Sequence, residues 1–411
     1  MSALSFSAIS SEIVTVVNHS GGIDITIKLR YAKIDSLPAG FRALILAALL
    51  MTIQMDDIGP VLLVGNVDDA PARAVKNEKF LRVIEPVAER THLVAGRPPE
   101  GYHPDVDFSR VTHYLSPDGP LPAMVLNHLL VQLTLVYVLT RNRHEYDTVV
   151  LFMGYSGAAL AGQLLGKDVV RFHGGPEFSG PWFQALALEV VPNRLADRIL
   201  VPSPGCIEHF DLTDYHEKIE TAHFHVDEQF RVETEFDDRP RRVGYFGHLI
   251  RSKGVDTLVA AVERANERLD EPLELVIGGT GPLAEELLLD APHVTHRGWI
   301  DHDETPEVYN ELRAFVLLSD SEGLPTVVLE SLACGTPIVA TPVGGVTDVI
   351  TDSENGRLVK AKSPNAVADI LVEVFESESL EEYHEHARET IDDTYRLHGV
   401  RERFRTVLSF D

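Results

Sequence analysis

The feature that most constrains this chain is a series of short apolar segments, separated by helical periodicities, that stops at a polar stretch and then begins again. In the first half, strands are predicted at Ile13–Asn18, Val61–Val64, Thr148–Phe152, Val169–Phe172 and Ile199–Pro202. Helical patterns at Phe41–Met55, Pro122–Thr140 and Ser156–Leu165 lie between them. Short apolar strands alternating with helices imply a parallel sheet covered on both faces. The stretch from Glu220 to Arg242 is charged and ends in ETEFDDRPRR, which marks a linker. Strands resume at Arg242–Phe246, Glu274–Ile277, Phe315–Leu318, Pro337–Ala340 and Gly356–Val359, and helices follow Lys253, Pro282, Pro306, Pro325 and Pro364. The expected fold class is therefore α/β, with two Rossmann-like doubly wound domains facing a cleft. The expected domains are residues 1–225 and 226–395, followed by a C-terminal helix, 396–411, that crosses back. Ligands in such sheets bind outside the carboxyl ends of the strands, so the site is expected in the cleft.

Composition sets limits on partners. The 411 residues suit two domains, and 44% hydrophobic with 24% charged residues lies in the globular range. The formal net charge of −27 repels nucleic acid and strongly anionic lipid, so no nucleic-acid partner is expected. The positive charge is mostly Arg, a balance expected of a protein adapted to concentrated salt, where self-repulsion is screened. Two cysteines, Cys206 and Cys334, make no disulfide framework. The opening MSALSFSAISSE lacks a basic segment followed by a long apolar run, so no secretory signal is expected. A cytoplasmic location follows as an expectation. The run Leu121–Thr140 is interrupted by Asn127, His128, Gln132 and Thr134 and reads as a buried or half-buried helix. Peripheral contact with the inner face of a membrane stays open.

Chemistry concentrates in SDSEGLPTVVLESLACGTPIVATPVGGVT, residues 319 to 347. A strand ends at Leu318, a turn holds Gly323, and Pro325 suits the first position of a helix, where its missing N–H costs nothing. Gly335 suits a left-handed cap, with Pro337 two residues on. Unpaired N–H groups of Gly323, Leu324, Thr326 and their neighbours would then form an anion site at a helix N-terminus. Glu322 stands before this helix and Glu330 one turn inside it, placed to meet sugar or ribose hydroxyls on either side of a diphosphate. A second segment, VGYFGHLIRSKG, puts Lys253 beside a helix start, where an ammonium and backbone N–H groups both favour a pyrophosphate.

Two glutamates seven residues apart in EGLPTVVLESLACGTPIVAT strongly resemble the signature of the large retaining glycosyltransferase family called group one, of GT-B architecture. That resemblance implies that Glu322 contacts the transferred sugar, that Gly323, Leu324, Pro325 and Thr326 hold the diphosphate, and that Glu330 binds the nucleotide ribose. It places Lys253 in the phosphate clamp. His248 stands where the family usually has Arg, so Arg251 is expected to substitute or His248 to give a pH-dependent contact. Gly21 and Gly22, in VVNHSGGID, resemble the glycine loop that faces the donor diphosphate from the first domain. His173, in VVRFHGGPEF, resembles the family's histidine on the transferred sugar, and Glu177 is a weaker candidate for acceptor contact.

The implied reaction moves a sugar from a nucleotide-diphosphate donor to a hydroxyl acceptor, a glycan, glycolipid or lipid-linked sugar, with retention and without metal or other cofactor. Alternatives are a nucleotide-sugar 2-epimerase-like enzyme and a non-catalytic nucleotide-sugar binding protein. Other motifs are set aside. VIGGTGPLAE mimics a dinucleotide fingerprint, but Pro282 interrupts it. His209, His216, His223 and His225 fit no zinc spacing, and Asp105 with Asp107 form an Asp-x-Asp pair by letter alone.

Overall fold

The computed structural model describes residues 14–19, 22–27, 59–65, 71–96, 106–111, 121–175, 186–287, 293–377 and 379–409. The chain divides into two compact units, Met1–Asp56 and Asp57–Asp411.

In the first unit, β1 (Val14–His19) and β2 (Gly22–Ile27) pair antiparallel from His19 opposite Gly22 to Val14 opposite Ile27. The segment expected as the opening strand of a parallel sheet is thus one arm of a hairpin. The reason is local. A two-residue connection is the shortest hairpin loop, and GIDITI alternates apolar and polar residues at the period of a half-buried antiparallel strand. The helix expected at Phe41–Met55 lies outside the described residues.

The second unit holds two parallel sheets. Seven strands, β3 (Val61–Val64), β4 (Thr91–Ala95), β5 (Val106–Arg110), β6 (Thr148–Leu151), β7 (Asp168–Phe172), β8 (Arg198–Val201) and β9 (Ile219–Thr221), run in the order β5-β4-β3-β6-β7-β8-β9. Six more, β10 (Arg242–Phe246), β11 (Glu274–Gly278), β12 (Val294–Gly298), β13 (Ala314–Leu317), β14 (Ile338–Ala340) and β15 (Gly356–Leu358), run β12-β11-β10-β13-β14-β15. In each sheet the first strand lies inside, and the order reverses beside it. That is the doubly wound arrangement, with switch points between β3 and β6 and between β10 and β13.

The apolar strands follow from burial on both faces. Val61 and Leu63 of β3 enter one core and Leu62 and Val64 the other, all essentially without exposure. Helix Leu121–Arg141 buries Val131, Leu135 and Leu139 against the second of these cores. Its opposite face exposes Leu126, Leu129, Leu133 and Tyr137, so it is half-buried, and by length and composition it could also cross a membrane.

The C-terminal helix, Leu397–Leu408, packs on the first sheet although its sequence follows the second. Val400, Phe404, Val407 and Leu408 join the core of Val61 and Leu63, and Phe404 meets Phe80 edge-on at 5.3 Å. Arg198 donates to the carbonyls of Val407 and Ser409 at 2.6 and 2.8 Å, and Arg403 to that of Thr221 at 2.7 Å. The segment between β9 and β10 is pinned as well. Arg239 is 1% exposed and reaches the carbonyls of Thr234, Leu312 and Cys334 and the hydroxyl of Thr336. Burial lowers its pKa to about 10.

Four buried histidines among the described residues carry a pH dependence. Burial lowers the pKa of His92, His173, His225 and His384. Each is held neutral in the fold and charges more readily in the unfolded chain, whose value is about 6.5. Their contribution is complete above that value and is lost as pH falls toward the lower, folded values. Denaturant unfolding followed between about pH 7.5 and 5.5 is expected to give a midpoint that falls with pH; a midpoint independent of pH over that window would contradict the buried neutral rings.

Candidate active site

The carboxyl ends of strands from both sheets meet at a cavity of ≈ 560 Å³. The first sheet contributes Phe152 and Met153 after β6, Phe172, Gly174 and Gly175 around the end of β7, and Pro202 after β8. The second contributes Gly247, His248 and Lys253 after β10, and Glu322 to Val327 after β13. The latter two loops leave the neighbouring strands of the switch point, where helices depart to opposite faces and leave a crevice.

The segment after β13 is built as its sequence requires, with one shift. The helix spans Thr326–Ala333, and Pro325 is its N-cap in extended backbone rather than its first residue. The helix ends in a Schellman motif. Gly335 at φ 68° donates to the Leu332 carbonyl at 2.8 Å, and Thr336 to that of Ser331 at 2.9 Å. Thr326 and Val327 therefore present first-turn N–H groups, which have no intrahelical acceptor, at the cavity wall.

The charged groups on the wall are tied together. Lys253 Nζ donates to Glu322 Oε1 at 2.5 Å, and Ser319 Oγ donates to the same oxygen at 2.6 Å. Glu322 is thereby fixed by a cation and a hydroxyl, and the ammonium keeps further protons for an anion. Tyr245 also lines the cavity and donates from its hydroxyl to the His248 carbonyl at 3.0 Å. Burial, with Glu322 adding to it, pushes the Tyr245 phenol above its usual range, so it stays a donor.

The domains touch beside these groups. A Cβ built on Gly323 would lie 2.4 Å from the Gly174 carbonyl oxygen, which only a glycine permits. Gly205 N–H donates to Asp348 at 2.7 Å, and His209 meets Ser321 at 2.9 Å across the same boundary.

Of the residues expected from sequence, Lys253, Glu322, His248, Gly323, Leu324, Pro325 and Thr326 all line the cavity. Arg251 does not, and the expected substitution for the missing clamp arginine is corrected. It is exposed and pairs with Asp256 at 3.1 Å and Glu286 at 3.2 Å. Arg251 and Lys253 lie in one 3₁₀ turn, whose threefold repeat sends residues two apart in different directions. His173 is also off the wall. It continues the face of β7 that carries Arg171, while Phe172 points the other way, into the cavity. Its Nε2 meets Glu189 at 2.9 Å, a carboxylate that Arg171 also holds at 2.7 Å, and its ring stacks on Phe210. Its Nδ1 is buried without a hydrogen-bond partner. Burial, with Arg171 alongside, keeps the imidazole below its usual pKa against the pull of Glu189.

Glu330 is buried away from the cavity and accepts from Lys79. Gly22 opens β2 of the hairpin, and Gly21 and Glu177 lie outside the described residues. The glycines of VIGGTG pack against backbone, with a Cβ on Gly279 falling 1.9 Å from the Gly247 carbonyl oxygen, so close packing accounts for them. Asp107 is bound to Arg90 at 2.6 Å. Sequence reading misses Ser319 and Lys79; a lone Ser or Lys carries no local signal of its partner.

Residues 226–391 match the family described as Glycosyl transferases group 1. The chain is 31% identical over 173 residues to the GDP-mannose-dependent alpha-(1-6)-phosphatidylinositol monomannoside mannosyltransferase of Mycobacterium tuberculosis, a match covering 38% of this chain and 44% of that one. It is 33% identical over 141 residues to the D-inositol 3-phosphate glycosyltransferase of Paenarthrobacter aurescens, covering 32% and 35%. The matched stretches thus span less than half of each relative. Among solved structures, it resembles Anabaena HepE in complex with UDP at TM-score 0.67 and 15% identity, over 85% of this chain and 99% of that one. It resembles sucrose-phosphate synthase of Thermosynechococcus elongatus at TM-score 0.65 and 17% identity, over 85% and 98%. At such identities the likeness is one of fold, the GT-B arrangement of two parallel α/β sheets.

The contact at Gly323 makes a direct prediction. Gly323→Ala sets a methyl group against a backbone carbonyl that cannot rotate away. It is expected to cost about 1–3 kcal/mol, the usual range for overpacking, or to part the domains. An unfolding midpoint and a radius of gyration by X-ray scattering both equal to wild type would contradict this contact.

Proposed function

We propose that this chain, whose residues 226–391 match the family described as Glycosyl transferases group 1, transfers a sugar from a nucleotide-diphosphate donor to a hydroxyl acceptor. The observation that carries the reading is the joint placement of Lys253, Glu322 and the first turn of Thr326–Ala333 on one cavity wall at a switch point. An ammonium and a helix N-terminus converging on one space bind a diphosphate and stabilise the charge that grows on it as the sugar–phosphate bond breaks. Three solved structures of similar fold carry UDP, UDP with glucose, or UDP-glucose, which supports a donor of that class.

In this reading, Lys253 and the amides at residues 323–326 receive the leaving diphosphate, and His248 adds a polar contact at the mouth. No metal is needed for that charge. Glu322 orients the transferred sugar, with Ser319 and Lys253 fixing its carboxylate. His173, held by Glu189, supports the loop of Gly174 and Gly175 and would reach the sugar only by turning out of its packing. Retention is part of the proposal. Glu322 is the one carboxylate among the described residues lining the cavity, and it is engaged by Lys253, which disfavours a glycosidase-like pair of nucleophile and acid. Same-face departure and attack, with the leaving phosphate as base, is then the consistent route. Contact of the two domains at Gly174 and Gly323 would exclude water from the donor. The acceptor is a glycan, glycolipid or lipid-linked sugar. The exposed stripe Leu126, Leu129, Leu133 and Tyr137 supports a cytoplasmic enzyme meeting a membrane-borne acceptor.

The test is a panel of nucleotide sugars offered to wild type, Lys253→Ala and Glu322→Gln, with chelator, in low and high salt. One donor is expected to bind and to release its nucleoside diphosphate slowly, with chelator having no effect. Lys253→Ala is expected to slow release by roughly 100-fold or more, the scale of losing one preorganised charge stabiliser. Binding without release of nucleotide would favour a sensor, an isomerised donor would favour an epimerase, and no binding in any salt would overturn the reading.

A further inference from the structure

A surface helix normally pairs one apolar stripe with a polar face. Helix Leu121–Arg141 carries apolar stripes on opposite sides. Val131, Leu135 and Leu139 fill the core, and Tyr146 donates to the Leu139 carbonyl at 2.9 Å. On the other side Val125, Leu129, Leu133 and Tyr137 recur every four residues as one ridge, with Leu126 beside it, and Leu133 is 65% exposed. The polar residues that interrupt the sequence are engaged elsewhere. Asn127 is buried, Gln132 accepts from the Gly157 N–H at 2.6 Å, and Thr134 and Thr140 donate to carbonyls of their own helix.

The next helix, Ser156–Leu164, widens the ridge into a face. A Cβ on Gly157 would stand 3.0 Å from the Gln132 carbonyl oxygen, so the two helices touch. Leu160 and Leu164 follow Gly157 at helical spacing on the same side, and Leu164 is 78% exposed. The face also departs from the rest of the chain in charge. The sequence holds 63 Asp and Glu, yet none falls in residues 119–144 or 148–167. Two cations stand together at one end. Arg141 donates to the Tyr137 hydroxyl at 3.2 Å and Arg143 to the Thr140 carbonyl at 3.1 Å, and among the described residues neither is paired with a carboxylate. The carboxylates that follow are engaged: Lys167 holds Asp147 at 3.3 Å, and Glu145 faces His92 at 4.0 Å.

We propose that the face of helices Leu121–Arg141 and Ser156–Leu164 docks on a lipid bilayer, with its leucines in the acyl boundary and Tyr137, Arg141 and Arg143 at the lipid phosphates. The chemistry selects this occupant. A protein interface sets aromatic and arginine anchors at its centre and a hydrogen-bonding rim around them. Here the centre is aliphatic, and the one phenol and two guanidiniums share one end, which suits hydrocarbon bounded by phosphate. Two copies of a chain of net charge −27 also repel each other, whereas a zwitterionic lipid surface does not repel them. The helix lies on the bilayer rather than across it, because its other stripe is committed to the core. The face adjoins the cavity through the segment from Phe152 and Met153, on the cavity wall, to Ser156. The docking surface goes beyond the reaction proposed above and stands independently of it.

The experiment is flotation of the full chain with vesicles, at salt high enough to screen its net charge. The vesicles are phosphatidylcholine alone, and phosphatidylcholine with phosphatidylglycerol at about 7:3. Wild type is expected to float with both. Leu133→Glu combined with Leu164→Glu should lower partitioning into both by roughly tenfold or more, since each puts a charge where acyl chains are expected. Arg141→Gln with Arg143→Gln should lower partitioning onto the mixed vesicles by roughly fivefold per arginine, with a smaller loss on phosphatidylcholine, and lysine at both positions should restore most of it. Should the double glutamate variant fail to fold, Leu133→Ser with Leu164→Ser makes the same comparison without added charge. Wild type that floats with neither vesicle, or flotation unchanged by the leucine variants, would overturn the proposal. A particle of twice the chain mass by light scattering that Leu133→Glu dissociates, with vesicles left unbound, would overturn it in favour of a second copy. None of these outcomes depends on donor binding, so the docking surface and the donor site stand or fall separately.

Discussion

Everything at the cleft depends on a place where two backbones touch. Gly323 of the second domain lies against the carbonyl of Gly174 in the first, with no room for a side-chain carbon on Gly323. Two loops that end strands of different sheets are brought within van der Waals reach. The walls of the cavity are then fixed by the segment joined to each loop, a helix N-terminus on one side and the Phe172–Gly175 turn on the other. A bulkier residue at 323 would hold the domains apart, and the polar ties at Gly205–Asp348, His209–Ser321 and Lys79–Glu330 would be stretched with it.

The electrostatic design inside that frame is economical. In a chain of net charge −27, an anionic ligand meets general repulsion from the surface. Among the described residues, the cavity presents one ammonium, a helix N-terminus and a phenol held protonated by burial. Glu322 does not cancel the ammonium. It takes one of three protons and orients the rest, while Ser319 keeps the carboxylate from swinging. Arg251 pairs with two surface carboxylates and lies off the cavity wall.

How much of this is legible in the sequence depends on where the information resides. Strands buried on both faces, such as Val61–Val64 and Arg242–Phe246, declare themselves by uninterrupted apolar residues, and their ends are found within a residue or so. Strands β5, β9 and β12 lie at sheet edges, carry residues such as Asp107, Glu220 and Arg297, and give no such run. Strand β4 is interior but contains Thr91 and His92, and His92 is accommodated by Ser109 of the next strand, a partner that sequence cannot show. The site divides the same way. The loop of residues 322–326 and Lys253 are contiguous with their own helices, so local pattern suffices. Lys79 acquires meaning only from a residue in the other domain. His173 turns from the wall because strand alternation, not motif position, decides which way a ring points.

The C-terminal helix changes what kind of object this is during synthesis. Phe404 and its neighbours complete the core around Phe80, so the first domain lacks part of its interior until the second has already emerged. Domains that are contiguous in sequence can settle one by one behind the ribosome. Here the earlier sheet must wait, with an apolar groove open, for residues translated only after every strand of the later sheet. The nascent chain therefore passes through a stage in which its better-finished half is the one made later, and its exposed half is the one a chaperone would meet.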